Sequence, residues 1–158
     1  MFGDLSQCIS EKGIAELTSI PKDLRIGTPA TISENYRNAR QITEYVNREF
    51  SMKMLAVGLN GKQEKVNMIP DLEIAQDDRV AISVSVAPLV LNDFLRDHDV
   101  VFFDEQREIV RGAYNVISVA NVKGLEFEKA VVVLSGMTPN EQYVACTRAI
   151  QELYVIPS

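Results

Sequence analysis

Two arginines and a short Lys-Gly-x-Glu segment are the parts of this 158-residue chain whose types could do chemistry. Arg37 follows Asn35-Tyr36, Arg148 follows Thr147, and Lys123-Gly124-Leu125-Glu126 lies between two apolar runs, Val116–Val119 and Ala130–Leu134. Guanidinium groups bind phosphate oxygens in a fixed fork and stabilise the charge that develops in phosphoryl transfer. Tyr36 offers a ring on which a base can stack. Gly124 would let backbone approach a ligand closely. Each residue alone also has an ordinary reading: a Tyr-Arg pair on a helix surface, a turn glycine, an arginine paired to a carboxylate.

Other chemistries find less support. His98 is the sole histidine, so histidine-rich metal sites are excluded and a Ser-His-Asp site would rest on it alone. Cys8 and Cys146 have no metal-like spacing. Asp104-Glu105 after the apolar run 100–103 resembles the metal-and-water site of a P-loop ATPase. No Gly-x-x-x-x-Gly-Lys-Ser/Thr precedes it, however, and short strands ending in acidic turns are common.

The elements that must position these residues alternate in type. Thr28–Ile32 reads as a strand. A helix follows, capped by Ser33 or Asn35, with Ala39, Ile42, Val46 and Phe50 on one face. Tyr36 and Arg37 would then lie on its first turn, where an arginine opposes the helix dipole, a slight cost that an external anion is one reason to accept. Asn60-Gly61 predicts a hairpin turn. Val80–Val86 is a strand, 70–79 a loop, and Leu89–Arg96 a helix behind Pro88 with Leu91, Phe94 and Leu95 inward. Strands follow at 100–103, 116–119, 130–134 and 153–156. Thr138-Pro139-Asn140-Glu141 is a capping box opening a helix to about Ile150. This alternation predicts a parallel sheet with helices on both faces, and ligands in such sheets sit at the carboxyl ends of the strands.

The bulk properties fit one soluble domain: 46% hydrophobic and 24% charged residues, with no apolar run near membrane-spanning length and no secretory pattern at the N-terminus. A reducing, bacterial-type cytosol is the expected compartment. The net charge of -6 argues against a broad basic surface wrapping nucleic acid, yet allows a narrow groove touching a few phosphates.

Three segments, in order and at roughly family spacing, make the chain resemble the second RecA-like domain of superfamily-one DNA helicases of the UvrD, Rep and PcrA type, most of all the HelD (helicase IV) branch. Asn35-Tyr36-Arg37-Asn38 resembles the Asn-Tyr-Arg-Ser of motif IV, Lys123–Glu128 resembles motif V, and Tyr143–Ala149 resembles motif VI. Gly3-Asp4-Leu5-Ser6-Gln7 resembles motif III, which ends the first RecA-like domain. Ser118 and Ala120 stand where the family usually carries Thr-x-His, and no aromatic-Arg-Gly segment follows Cys8-Ile9.

The resemblance implies a RecA-like, three-layer α/β/α fold with a mainly parallel sheet and no Walker A loop of its own. Residues 1–27 would be the tail of the preceding domain and a linker, and 28–158 the domain proper. Arg148 would be an arginine finger reaching the γ-phosphate of ATP, with Arg37 a second contact. Tyr36 would stack on adenine, Glu126 would hydrogen-bond the ribose, and Gln7 would sense the γ-phosphate from the other domain. Ser118, Asn121 and Lys123 would lie near single-stranded or partly duplex DNA. ATP with Mg²⁺ would be bound jointly with an N-terminal RecA-like domain of the same protein. The chain alone would be inactive. The alternatives are a non-catalytic module on a protein partner such as RNA polymerase, and an unrelated flavodoxin-like domain for a small molecule.

Overall fold

The β-branched run Val80–Val84 forms the strand around which the sheet is laid, and all five of its residues are buried. The computed structural model describes residues 33–86 and 88–157. In chain order these form β1 (Glu34–Asn35), α1 (Arg40–Phe50), β2 (Leu55–Ala56), β3 (Lys62–Lys65), β4 (Val80–Val84), α2 (Leu89–Asp97), β5 (Val100–Phe102) and α3 (Phe103–Gln106). There follow β6 (Tyr114–Ser118), a 3-10 turn (Val119–Asn121), β7 (Phe127–Val133), α4 (Pro139–Thr147) and β8 (Ala149–Ile156). Six strands make one wholly parallel sheet in the order β3-β8-β7-β4-β6-β5, and β1 and β2 pair separately, also in parallel.

Alternation along the strands builds two cores. Ala81, Ala130, Val132, Leu153 and Val155 face one layer, covered by Ile42, Tyr45 and Val46 of α1 and by Tyr143–Cys146 of α4. Val80, Ile82, Val131, Val133, Tyr154 and Ile156 face the other, covered by Leu91 and Phe94 of α2. The non-regular segment 66–79 also packs there through Ile69, Leu72 and Ile74. The result is the three-layer α/β/α architecture with a parallel sheet that the sequence leads one to expect.

The structure departs from expectation at several joints. Helix α1 begins at Arg40 behind Ala39 and has no side-chain cap, so Tyr36 and Arg37 precede it and the helix-dipole argument does not apply to Arg37. The Asn35 side chain accepts from the Asn38 N–H at 3.0 Å, a local turn that competes with helix. The Ala39 N–H goes to the Ile150 carbonyl at 2.7 Å.

No hairpin forms at Asn60-Gly61: β2 pairs with β1, and β3 with β8. A Cβ on Gly61 would lie 2.1 Å from the Gln151 carbonyl oxygen and 2.4 Å from the Ala39 Cβ, so this glycine serves a close approach between chain segments. Helix α4 stops at Thr147, before Ile150, because Ala149 pairs with Phe127 and starts β8. Strand β7 likewise starts at Phe127 instead of Ala130. The motif III-like segment with Gln7, the expected linker up to residue 27 and the expected strand 28–32 lie outside the described residues.

Candidate functional site

Register divides the expected site into two. Val80 stands opposite both Tyr114 and Lys129, so these two are level in the sheet. Ser118 is four residues beyond Tyr114 toward the carboxyl edge, and Glu126 is three before Lys129 toward the amino edge. At about 3.3 Å per residue the two are roughly 20 Å apart along the strands. The segment 119–126 crosses the sheet between them, with Val119 and Val122 buried in the first core and Leu125 packed against it. Glu126 and Arg148 immediately precede β7 and β8, and therefore lie at amino ends, not at the carboxyl rim.

At the amino edge, residues far apart in sequence meet. Arg37 Nη1 lies 3.2 Å from Glu126 Oε1, and Arg37 Nη2 donates to the Thr147 carbonyl at 3.2 Å. Both partners of the ion pair are more than a third exposed, so it holds geometry more than it adds stability. Arg148 is only 5% exposed. Its Nε donates to the Val144 carbonyl at 3.2 Å and its Nη2 lies 3.3 Å from Thr147 Oγ1.

Tyr36 is 69% exposed, leaving a ring face at the surface, and its hydroxyl donates to the Glu34 carboxylate. That bond, and the charge behind it, push the Tyr36 phenol above its usual range. Beside Tyr36 and Arg37 opens a cleft of about 370 Å³, floored by Gly61 and Ile150 and edged by Leu59, Asn60 and Gln151. One step along the same edge, Arg79 forks onto Glu128 at 3.0–3.2 Å. Burial pushes the Glu128 carboxyl up, but hydrogen bonds from the Arg79 side chain and backbone outweigh it and hold the group below its usual range.

At the carboxyl end of β6, Asn121 donates to Asp104 at 2.6 Å and to the Ser118 hydroxyl at 3.1 Å, while the Ser118 N–H reaches Asp104 at 3.3 Å. Asp104 thus ties down two of the three residues expected near nucleic acid, Asn121 by its side chain and Ser118 by its backbone N–H. Lys123 is exposed. Gly124 has φ +83 with nothing within 4 Å of where a Cβ would stand, and the Leu125 N–H closes the turn on the Val122 carbonyl at 3.0 Å. It is a turn glycine in open space, which differs from the close-approach role expected of it.

Sequence reasoning named Asn38 only as part of the motif IV-like segment and Gly61 only as a hairpin turn, and it singled out neither Gln151 nor the tie from Asp104. The signal for Asn38 was present in its departure from the serine of motif IV. The cleft residues carried no local signal, since strand pairing brings them together.

The donors fit a phosphorylated ligand: Arg37 keeps N–H groups at the surface beside an exposed ring and the Glu126 acceptor. Among the described residues, no group of three His, Cys, Asp or Glu side chains is placed to hold a metal ion. None of the described helices is long and apolar enough to cross a membrane. Burial raises the Cys146 thiol far above its usual range, so it is no nucleophile.

No protein-family model matches the sequence, and no curated protein sequence does. Among solved structures, the C-terminal domain of a possible DNA helicase from Lactobacillus plantarum WCFS1 aligns over 78% of this chain and 87% of its own, with 17% identity and a TM-score of 0.49. An arterivirus nonstructural protein 10, a helicase, aligns over 78% of this chain at 18% identity and TM-score 0.46. The PRRSV nsp10 helicase aligns over 79% at 13% identity and TM-score 0.45. This chain spans about a quarter of the two viral proteins, 24% and 23%.

Proposed function

We propose that the chain is the C-terminal motor domain of an ATP-dependent DNA helicase or translocase of the HelD-like type. It would supply arginine and single-strand contacts across a cleft to an N-terminal RecA-like ATPase domain. One observation carries this reading: Arg37, Glu126 and Arg148 come from three separate segments and converge at one edge of the sheet, beside the exposed ring of Tyr36. When bound, ATP supplies a γ-phosphoryl group whose transfer builds negative charge on its oxygens. Arg37 donates to that charge, Tyr36 covers the base, and Glu126 accepts from the sugar hydroxyls. Arg148 completes the set when closure draws it from its intradomain contacts, and a group that binds in only one state is what drives closure. Ser118 at the end of β6, and Asn121 and Lys123 in the first half of the crossing segment, hold the DNA strand by its backbone without reading sequence.

The second reading is a non-catalytic module that binds a protein partner such as RNA polymerase. It is favoured by the 5% exposure of Arg148 and its bonds within its own helix end. Measuring DNA-stimulated ATP turnover separates the two. In the intact protein carrying both domains, Arg148→Ala should lower turnover by roughly 10³–10⁵-fold and spare nucleotide binding. The 158-residue chain alone should not turn over ATP. Near-wild-type turnover in the variant overturns the finger role of Arg148, whereas an intact wild-type protein with no DNA-stimulated turnover overturns the motor reading and leaves the module.

A further inference from the structure

The backbone around Arg148 is fixed from outside its own helix and strand. Asn38 is 3% exposed, and its Nδ2 donates to the Thr147 carbonyl at 2.9 Å and the Ala149 carbonyl at 2.6 Å, the two that flank Arg148. The Arg148 carbonyl between them accepts from the Phe127 N–H at 2.9 Å. Asn38 is itself oriented: its Oδ1 accepts from Asn35 Nδ2 at 2.9 Å, and its N–H goes to Asn35 Oδ1 at 3.0 Å. With both amide protons and the carbonyl engaged, its rotamer is fixed. The Thr147 carbonyl is shared, since it also accepts from Arg37 Nη2 at 3.2 Å. Arg37 and the Arg148 backbone are therefore anchored on the same atom, by neighbouring residues of one turn.

We propose that Asn38 is a positioning residue that sets the two arginines in a common register, so that they engage a nucleotide phosphate as a unit. The proposal rests on the reading that these arginines serve a nucleotide. Serine, the residue of the resembled motif at this place, has a single hydroxyl proton and could hold only one of the two carbonyls. The two-carbonyl clamp is therefore particular to an amide here.

The test has a structural and a kinetic arm. In the 158-residue chain, Asn38→Ala should speed amide hydrogen exchange at Phe127 and Ala39 by about tenfold or more while leaving α2 unchanged, because only the clamp's neighbourhood opens. In the intact protein, Asn38→Ala should lower kcat by about 10²-fold, the scale of an ångström's misplacement. KM for ATP should stay near wild type, because Tyr36 and Glu126 do not depend on the clamp. The loss should shrink in an Arg148→Lys background, since groups that act through one another are not additive. Asn38→Ser, which keeps one donor and is the milder change, should fall between wild type and Asn38→Ala in both arms.

Unaltered exchange at Phe127 in both Asn38 variants overturns the clamp, whatever the kinetics. Full kcat in both variants, with Arg148→Lys impaired, overturns the coupling while sparing the motor reading. Full turnover in Arg148→Lys fails the finger role of Arg148 and with it the coupling, while sparing the motor reading, and the exchange arm still judges the clamp. A fall in kcat no smaller in the Arg148→Lys background makes Asn38 merely structural and also overturns the proposal.

Discussion

Replacing Gly61 by alanine tests the contact that joins the cleft floor to α1 and β8. The added Cβ would sit 2.1 Å from the Gln151 carbonyl oxygen and 2.4 Å from the Ala39 Cβ, so backbone must separate by about 1 Å. Neither neighbour is the free end of a flexible side chain. Overpacking of this kind costs about 1–3 kcal/mol. Gly61 is not among the positive-φ glycines, so alanine meets no backbone strain and recovers about 0.4–1 kcal/mol from a less flexible unfolded chain. The net loss is about 1–2 kcal/mol, or a Tm lower by roughly 2–8 °C for a domain of this size. Urea unfolding at constant m-value measures it. Adding Ala39→Gly removes the 2.4 Å contact but not the one at 2.1 Å, so the double variant should recover only part of the loss. Ala39 is the N-cap position, where glycine is tolerated. An unmoved or raised midpoint in Gly61→Ala would refute the close-approach account of this glycine.

Glu128 carries a pH dependence whose sign follows from its lowered pKa: the stabilisation is present above its ordinary value of 4.5 and is lost as pH falls through the lower folded-state value. Glu128→Gln should cost about 2 kcal/mol at neutral pH, because Arg79 keeps its burial and loses its fork, and should flatten acid unfolding below pH 4.5; an equally steep acid profile in the variant would exclude Glu128 as the source. Thr138→Ala removes the acceptor of the Glu141 N–H at 3.2 Å and should cost about 1 kcal/mol by chemical denaturation, with a change under a few tenths telling against the capping box. Lys123→Ala in the intact protein should weaken single-stranded DNA binding alike for all sequences and reduce the log-log salt slope by about 0.7. A sequence-dependent loss, or an unchanged slope, would remove Lys123 from the phosphate path.

What was legible in the sequence was what local chemistry decides. The β-branched run at 80–84 became a buried strand, and Thr138 to Glu141 became a capping box with both reciprocal bonds. Leu91 and Phe94 became the inward face of α2. Misreadings fell where a distant partner outbid a local preference. Asn60-Gly61 suits a hairpin, but β3 found β8 across some 90 residues. Ile150 could extend α4, but the ladder from Ala149 and Phe127 claimed it. The amino-end position of Glu126 and Arg148 was hidden for a related reason: a polar cluster after one strand and before the next is assigned to an edge only by where the connection crosses the sheet.

By itself, the sequence determined the alternation of strands and helices, the parallel α/β class and the residue types suited to phosphate, because hydrophobic period and side-chain chemistry are properties of neighbours. Tertiary structure alone decided that Arg37 meets Glu126, that Asn38 brackets Arg148, and that Ser118 and Glu126 lie at opposite edges. Those facts depend on strand order and register, set by burying two faces of one sheet at once, which no local window contains.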